Sequence, residues 1–285
     1  MLQAGNCTKA DISLDRLSDQ EILAARVCDL DLRIEGTALE DRIRRLYAEL
    51  DRKGISFHPP CYLADEWLTP DRTPVIGVPF YLAHPKLIHL ERKMMLEAEG
   101  STEAWCMKLL RHEAGHALGY AYLLYRRTRW RELFGPFSRR YSSAYSAQPY
   151  SKRFVIHLDD NYAQAHPDED FAETFAVWLT PGSRWEERYA GWPALKKLQY
   201  VDHLVRSIGG RPPLMTDRRT PWSASRMRST LALLYERKRR HLVRLANAYL
   251  ERKNMWDCEC RFDVVGVVVE KGRPVFEHVE NAFGA

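Results

Sequence analysis

Two imidazoles and a carboxylate share one helical turn at His112-Glu113-Ala114-Gly115-His116. Residues four apart stand above one another on an α-helix, so His112 and His116 can aim at one ion, while Glu113, one step round, reaches a water at that ion. Imidazole donors favour a borderline metal, and zinc fits best. The chemistry this pattern offers is hydrolysis by water activated between a metal and a general base. The pattern arises by accident in roughly two or three of a hundred chains of this composition, so a helix with two surface histidines also fits it and further donors must decide.

A catalytic zinc takes three protein ligands and keeps one position open for water. A third histidine six residues after the second would complete the metzincin pattern, but Gly119 is followed by Tyr122 there, and tyrosine does not make that site. The next donors lie in His166-Pro167-Asp168-Glu169-Asp170-Phe171-Ala172-Glu173-Thr174-Phe175-Ala176-Val177-Trp178-Leu179, which reads as an amphipathic helix with Pro167 in its first turn. Glu169 and Glu173 fall on one face of it, so one can bind metal while the other accepts the free ring N–H of a ligand histidine. Asp168 and Asp170 also fit a helix start favoured by the macrodipole. Carboxylates among Phe171, Phe175 and Trp178 nevertheless need a partner if buried. His166 is the runner-up third ligand, and His157 is a further spare imidazole.

The combination resembles the gluzincin metallopeptidases, above all the anthrax lethal factor and Pro-Pro endopeptidase branch, whose second helix reads Glu-Phe/Asp-Phe-Ala-Glu-x-Phe. The stretch from Tyr162 to Leu179 also resembles a bacterial group described only as zinc-binding metallopeptidases. The gluzincin likeness covers roughly residues 100–180. It implies zinc held by His112, His116 and Glu169, with Glu113 as general base and Glu173 orienting a ligand histidine, His112 by preference. Those enzymes carry a catalytic tyrosine seven residues before the ligand glutamate, which implies Tyr162 as the donor to the oxyanion. The implied fold is α+β: a zincin-like metallopeptidase domain with a small sheet packed on the active-site helix, a mostly helical C-terminal half and a terminal β-hairpin.

The elements that must position these residues can be read in part. Ser18, with Glu21 three later, opens a short helix to about Ala25, and Val27–Ile34 alternates like a strand. Leu39, Ile43, Leu46, Tyr47 and Leu50 repeat at helical spacing until Lys53-Gly54. Ile55–Leu63 and Pro74–Ala83 read as strands. In the resembling folds the second of these lies at the sheet edge above the metal, and a plain core strand fits as well. Ser101 or Thr102 caps an active-site helix running to about Leu124, apolar on nearly all sides and therefore central. Residues 126–153 read as an irregular rim or lid, and Phe154–Leu158 as a short strand. Helices follow over Trp192–Ile208 and from Ser223 or Ser225 to about Arg252, the latter with Leu231, Leu234, Leu242, Leu245 and Tyr249 on its apolar side. Arg261–Val269 and Arg273–Val279 form a hairpin about Lys271-Gly272. Residues 237–285 resemble the C-terminal end of the YraN-type family, but the acidic metal pair of that family is missing, so the tail is read as a hairpin without chemistry.

The expected organisation is therefore a loose N-terminus at 1–17, the zincin-like domain at 18–210, a basic loop and long helix at 211–253 and a hairpin tail at 254–285. With 45% hydrophobic and 28% charged residues the chain of 285 is composed like a soluble globular protein. Neither a secretory signal nor a run of eighteen apolar residues is seen, so the expectation is a cytoplasmic protein without a membrane partner. The cysteines at 7, 28, 61, 106, 258 and 260 lack a C-x-x-C pair and are read as free thiols. Residues 211–253 hold twelve Arg or Lys against three acids. A solvated helix face explains such a run, and nucleic acid is the lesser reading. The functional expectation is a zinc endopeptidase acting on a peptide or protein. The alternative is a non-catalytic, zinc-stabilised regulatory or nucleic-acid-binding protein using the basic helix.

Overall fold

The computed structural model describes residues 14–142, 146–255, 261–270 and 273–283. In chain order the helices are α1 (Asp19–Ala24), α2 (Ala38–Arg52), α3 (Pro85–Met95), α4 (Glu103–Ala121), α5 (Thr128–Phe134), α6 (Pro167–Leu179), α7 (Trp185–Arg188), α8 (Leu195–Ile208) and α9 (Leu231–Lys253). The strands are β1 (Cys61–Ala64), β2 (Ile76–Pro79), β3 (Phe262–Glu270) and β4 (Arg273–Phe283). The class is α+β, as expected. Two compact units divide the chain: Leu32–His84 with Glu99–Arg226, and the described residues of Met1–Asp31, Pro85–Ala98 and Met227–Ala285. In the second of these units α1 and α3 both pack on α9.

In the first of these units α4 is the axis. Thr102 caps it, its Oγ1 accepting the N–H of Trp105 at 3.3 Å, and it ends at Tyr122, followed by Leu123 in the left-handed region at φ 52°. Every residue of α4 from Leu109 to Ala121 is buried, and so is all of α6. The two helices approach closely at Gly115. A Cβ there would stand 2.9 Å from Ala172 Cα and 3.1 Å from Ala172 O, so only glycine lets the backbones meet. On another side, Glu49 of α2 takes both Nε and Nη2 of buried Arg111 at 2.7 and 2.8 Å, a bidentate pair beside the first histidine.

The small sheet is parallel, with Tyr62 opposite Gly77. Leu68 lies on the other side of β2, where it and Gly77 exchange N–H···O bonds of 3.2 and 2.8 Å. β2 is thus buried and flanked on both sides, which fits the plain core strand of the two readings rather than a sheet edge over the metal. Trp67–Thr69 lies over the motif instead. The strands are also shorter than read, since Pro59 and Pro60 precede β1 and Pro79 leads β2 into a 3-10 turn at Phe80–Ala83. Residues 126–153 are not all irregular: α5 lies among them, burying Trp130 and Phe134 against Phe171 at ring distances of 5.9 and 5.4 Å. Phe154–Leu158 forms no strand.

In the other unit Ser18 and Glu21 form the expected capping box. Val27–Ile34 is a 3-10 turn and loop rather than a strand: Val27 and Leu30 are buried three apart, and the N–H groups of Val27 and Cys28 donate to Ser229 O and Met227 O. α9 starts later than read. Thr230, not Ser223 or Ser225, caps it, accepting from Leu233 N–H at 3.3 Å. Of its expected apolar side Leu231 is buried, while Leu245 and Tyr249 are exposed. β3 and β4 pair antiparallel, Val265 opposite His278. No helix among the described residues is long and apolar enough to cross a membrane. Cys28, Cys61 and Cys106 are free thiols; Cys7, Cys258, Cys260 and the turn at Lys271-Gly272 lie outside the described residues.

Candidate metal centre

α4 and α6 present their side chains to one point. His116 Nε2 lies 3.1 Å from His112 Nε2 and 3.1 Å from Glu169 Oε2, and His112 Nε2 is also 3.1 Å from that oxygen. The far nitrogens are spoken for. His112 Nδ1–H donates to Glu173 Oε1 at 2.8 Å, and His116 Nδ1–H donates to Asp168 Oδ2 at 3.0 Å. With a carboxylate fixing each Nδ1–H, both Nε2 lone pairs face each other and an anionic oxygen. Three acceptors cannot share so small a space unless a cation lies among them. Around tetrahedral zinc, with bonds of about 2.0–2.1 Å, neighbouring donors stand about 3.3 Å apart, so this triangle fits that ion closely.

The protonation behaviour carries the same message. Burial pushes the His112 imidazolium down, but bonds to Glu169 and Glu173 overcome it and raise it to about 9. His116 is likewise raised, with burial outweighed by Asp168 and Glu169. Glu169, despite burial, is held well below the usual carboxylate range by His116 and His112. Positive charge is what the cluster selects, and without a metal protons supply it.

Each carboxylate of buried α6 has a partner. Besides His116, Asp168 accepts from Tyr120 OH at 2.6 Å; Glu173 accepts the Leu158 N–H at 2.8 Å on its second oxygen; Asp170 pairs with Lys197 Nζ at 2.6 Å. Tyr141 OH donates to Glu169 Oε1 at 2.8 Å. Glu113 is buried beside the triangle, its Oε2 accepting from Thr69 Oγ1 at 2.8 Å. Burial raises its pKa, opposed by the two histidines and by Thr69. Tyr162 follows a turn in which Asp160 and Asn161 both take φ 56°, a conformation these two residue types tolerate better than most. Its ring stands 5.8 Å from that of His112. His112, Glu113, His116, Tyr120, Tyr141, Tyr162, Glu169 and Thr69 line one cavity of about 640 Å³, with Trp67, Trp105, Asp159 and Asp160 also in its walls.

The spare imidazoles lie elsewhere. His166 caps α6, Nδ1 accepting Asp168 N–H at 3.1 Å and Nε2–H donating to Arg139 O at 2.7 Å. His157 Nε2–H donates to Lys108 O at 3.0 Å. Sequence reasoning missed Asp168, Tyr120, Tyr141 and Thr69 as members of the site. Tyr120 left a signal, since it continues the four-residue stripe of His112 and His116; Thr69 and Tyr141 come from loops remote in sequence and left none.

Among the curated proteins and the solved structures nothing matches this chain. A family model described as "Putative zinc-binding metallo-peptidase" matches residues 104–186, the span that runs from the first turn of α4 into α7 and holds the whole metal triangle, Glu113, Tyr162 and both carboxylates behind the histidines.

Proposed function

We propose that this protein is a zinc-dependent endopeptidase of the gluzincin type with a zincin-like catalytic domain, in which His112, His116 and Glu169 hold the metal. The observation that carries the reading is the triangle of three acceptors 3.1 Å apart, with Glu113 beside it at the floor of an open cleft. When bound, zinc supplies Lewis-acid activation of water and of the scissile carbonyl. Glu113 takes the proton of the attacking water on its carboxylate and passes it to the leaving nitrogen. Burial raises its pKa above the usual carboxylate value, the direction that favours holding the proton for the second half of the exchange, and Thr69 keeps the carboxylate from turning away. Tyr162 donates its hydroxyl to the oxygen that gains negative charge. Glu173 and Asp168 orient the histidines through Nδ1.

The competing reading, a structural zinc in a regulatory or nucleic-acid-binding protein, asks for a fourth protein donor. His157 and His166, which would have to close such a site, are engaged with backbone groups instead. The test is metal analysis together with an unbiased peptide library, with free and with blocked termini. One zinc per chain and cleavage of blocked peptides are expected, and Glu113→Gln should keep the zinc while turnover falls about 10²–10⁴-fold. Undiminished turnover in that variant would remove the mechanism. Zinc binding without cleavage, together with steeply salt-dependent DNA binding, would favour the competing reading.

A further inference from the structure

Tyr141 is 58% exposed, yet its hydroxyl reaches a carboxylate that is 5% exposed. The ring has no place in the core. It is held by stacking on His166, centroids 3.9 Å apart and planes within 12°. His166 is in turn tied to the same loop, donating to Arg139 O at 2.7 Å, and to the first turn of α6 through the Asp168 N–H. Phe137, four residues before Tyr141, stacks on Tyr125 at 4.3 Å and so fixes the start of the loop. The loop therefore delivers one hydroxyl to one oxygen, and the two oxygens of Glu169 are divided: Oε2 at 3.1 Å from both histidine nitrogens, Oε1 at 2.8 Å from Tyr141.

A carboxylate ligand with a free second oxygen can swing that oxygen onto the metal, which fills the position a hydrolytic site keeps open for water. A hydroxyl donating to Oε1 removes that choice. We propose that Tyr141 is a positioning residue which, carried on the His166 stack, holds Glu169 to one-oxygen ligation and so preserves the open position. This rests on Glu169 being a metal ligand, as set out above, but not on the reaction being peptide hydrolysis.

Tyr141→Phe in the full chain keeps the ring and its stack and deletes only the hydroxyl. Loading wild type and variant with cobalt(II) reads the coordination number directly, because four-coordinate cobalt absorbs strongly in the visible and five-coordinate cobalt weakly. The expected result is a weaker, shifted cobalt band in Tyr141→Phe, with thermal melting of the metal-free protein unchanged. Zinc affinity by chelator competition should fall about 10- to 100-fold, as for other groups that orient a ligand. A cobalt spectrum identical to that of wild type overturns the proposal, whatever happens to turnover. If wild type takes up neither cobalt nor zinc, the metal reading fails and Tyr141 with it. If the spectra differ but no peptide is cut, the role of Tyr141 stands and the peptidase reading alone falls.

Discussion

α6 and α9 both carry conspicuous charge, and they carry it in opposite ways. The first has four carboxylates in thirteen residues, all buried; the second has seven arginines and lysines against two glutamates in twenty-three residues, of which Leu231 and Tyr235 are buried. A buried carboxylate must be answered by a specific partner, so each acid of α6 points to another side chain, and three of the four point to the metal triangle. Charge on α9 is answered piecemeal, each side chain by a different neighbour. Lys238 finds Glu91 at 3.1 Å, Arg240 pairs with Glu236 on its own helix, Arg239 donates to Met94 O and Arg237 to Ser229 Oγ, and these partners lie apart rather than around one point. Charge density in a sequence is thus informative about chemistry in proportion to the apolar residues interleaved with it.

The largest effect should come from breaking the answered charge. On the proposed assignment Glu169→Ala takes away one of three ligands, and metal analysis after dialysis should find little zinc. Glu173→Gln and Asp168→Asn leave the triangle but spoil the orientation of His112 and His116, so each should weaken zinc about 10- to 100-fold. If Glu173→Ala empties the site while Glu169→Ala does not, the roles of the two glutamates are reversed.

Next comes the contact that lets α4 and α6 meet. In an exposed helix Gly→Ala adds about 1 kcal/mol of stability. At Gly115 the new methyl would overlap Ala172 Cα, so Gly115→Ala should instead cost about 1–3 kcal/mol in urea melts and lower zinc affinity by parting the donors. A stabilised variant would mean that the helices are free to move apart.

A pH series sharpens the comparison further. In the metal-free protein His112 has its pKa raised in the fold to about 9, from an ordinary 6.5. A group so shifted contributes stability that is fully present below the unfolded value and is lost as pH rises through the folded one. The metal-free protein should therefore lose melting temperature between pH 6.5 and about 9. Zinc replaces those protons, so its stabilisation should grow across the same window. Each tenfold gain in effective affinity adds about 1.4 kcal/mol, or about 2–4 °C for a chain of this size. A gap between zinc-loaded and metal-free melts that stays constant with pH would contradict the proton held at the triangle.

The candidate donors and the carboxylate behind them were legible because helical spacing makes i and i+4 neighbours in space as well as in sequence. His112, His116, Glu169 and Glu173 are two such pairs, and Thr102, Ser18 and Lys53-Gly54 marked helix ends by local chemistry. What was lost lies beyond one helical turn. Val27–Ile34 alternates apolar and polar residues, but its N–H groups are used by Ser229 and Met227, some two hundred residues away. α5 hid in a stretch rich in arginine because Trp130 and Phe134 alone face inward. The order of β2 within its sheet depended on Leu68, which no pattern in 74–83 contains. Thr69 and Tyr141 reach the site from loops whose course only the fold decides.

The smallest effect is expected on α9, where only Leu231 and Tyr235 are buried. Leu245 belongs to the apolar stripe of α9 but is 54% exposed, so the fold buries too little of it to give the side chain a core role. Leu245→Ser should shift stability by about 0.5 kcal/mol or less, since substitutions away from packed features fall in that range, and zinc affinity should not change. Tyr235, nearly inaccessible on the same helix, supplies the control: Tyr235→Ala opens a cavity and should cost about 3–5 kcal/mol. Thermal melts of the two variants at several protein concentrations read the contrast. A loss at Leu245 approaching that at Tyr235 would mean that the apolar stripe of α9 is covered in solution, and a loss that deepens on dilution would identify the cover as a second copy of the chain. In that case the contrast between the two helices would shrink to a difference in what answers the charge, side chains of the same chain for α6 and a partner for α9.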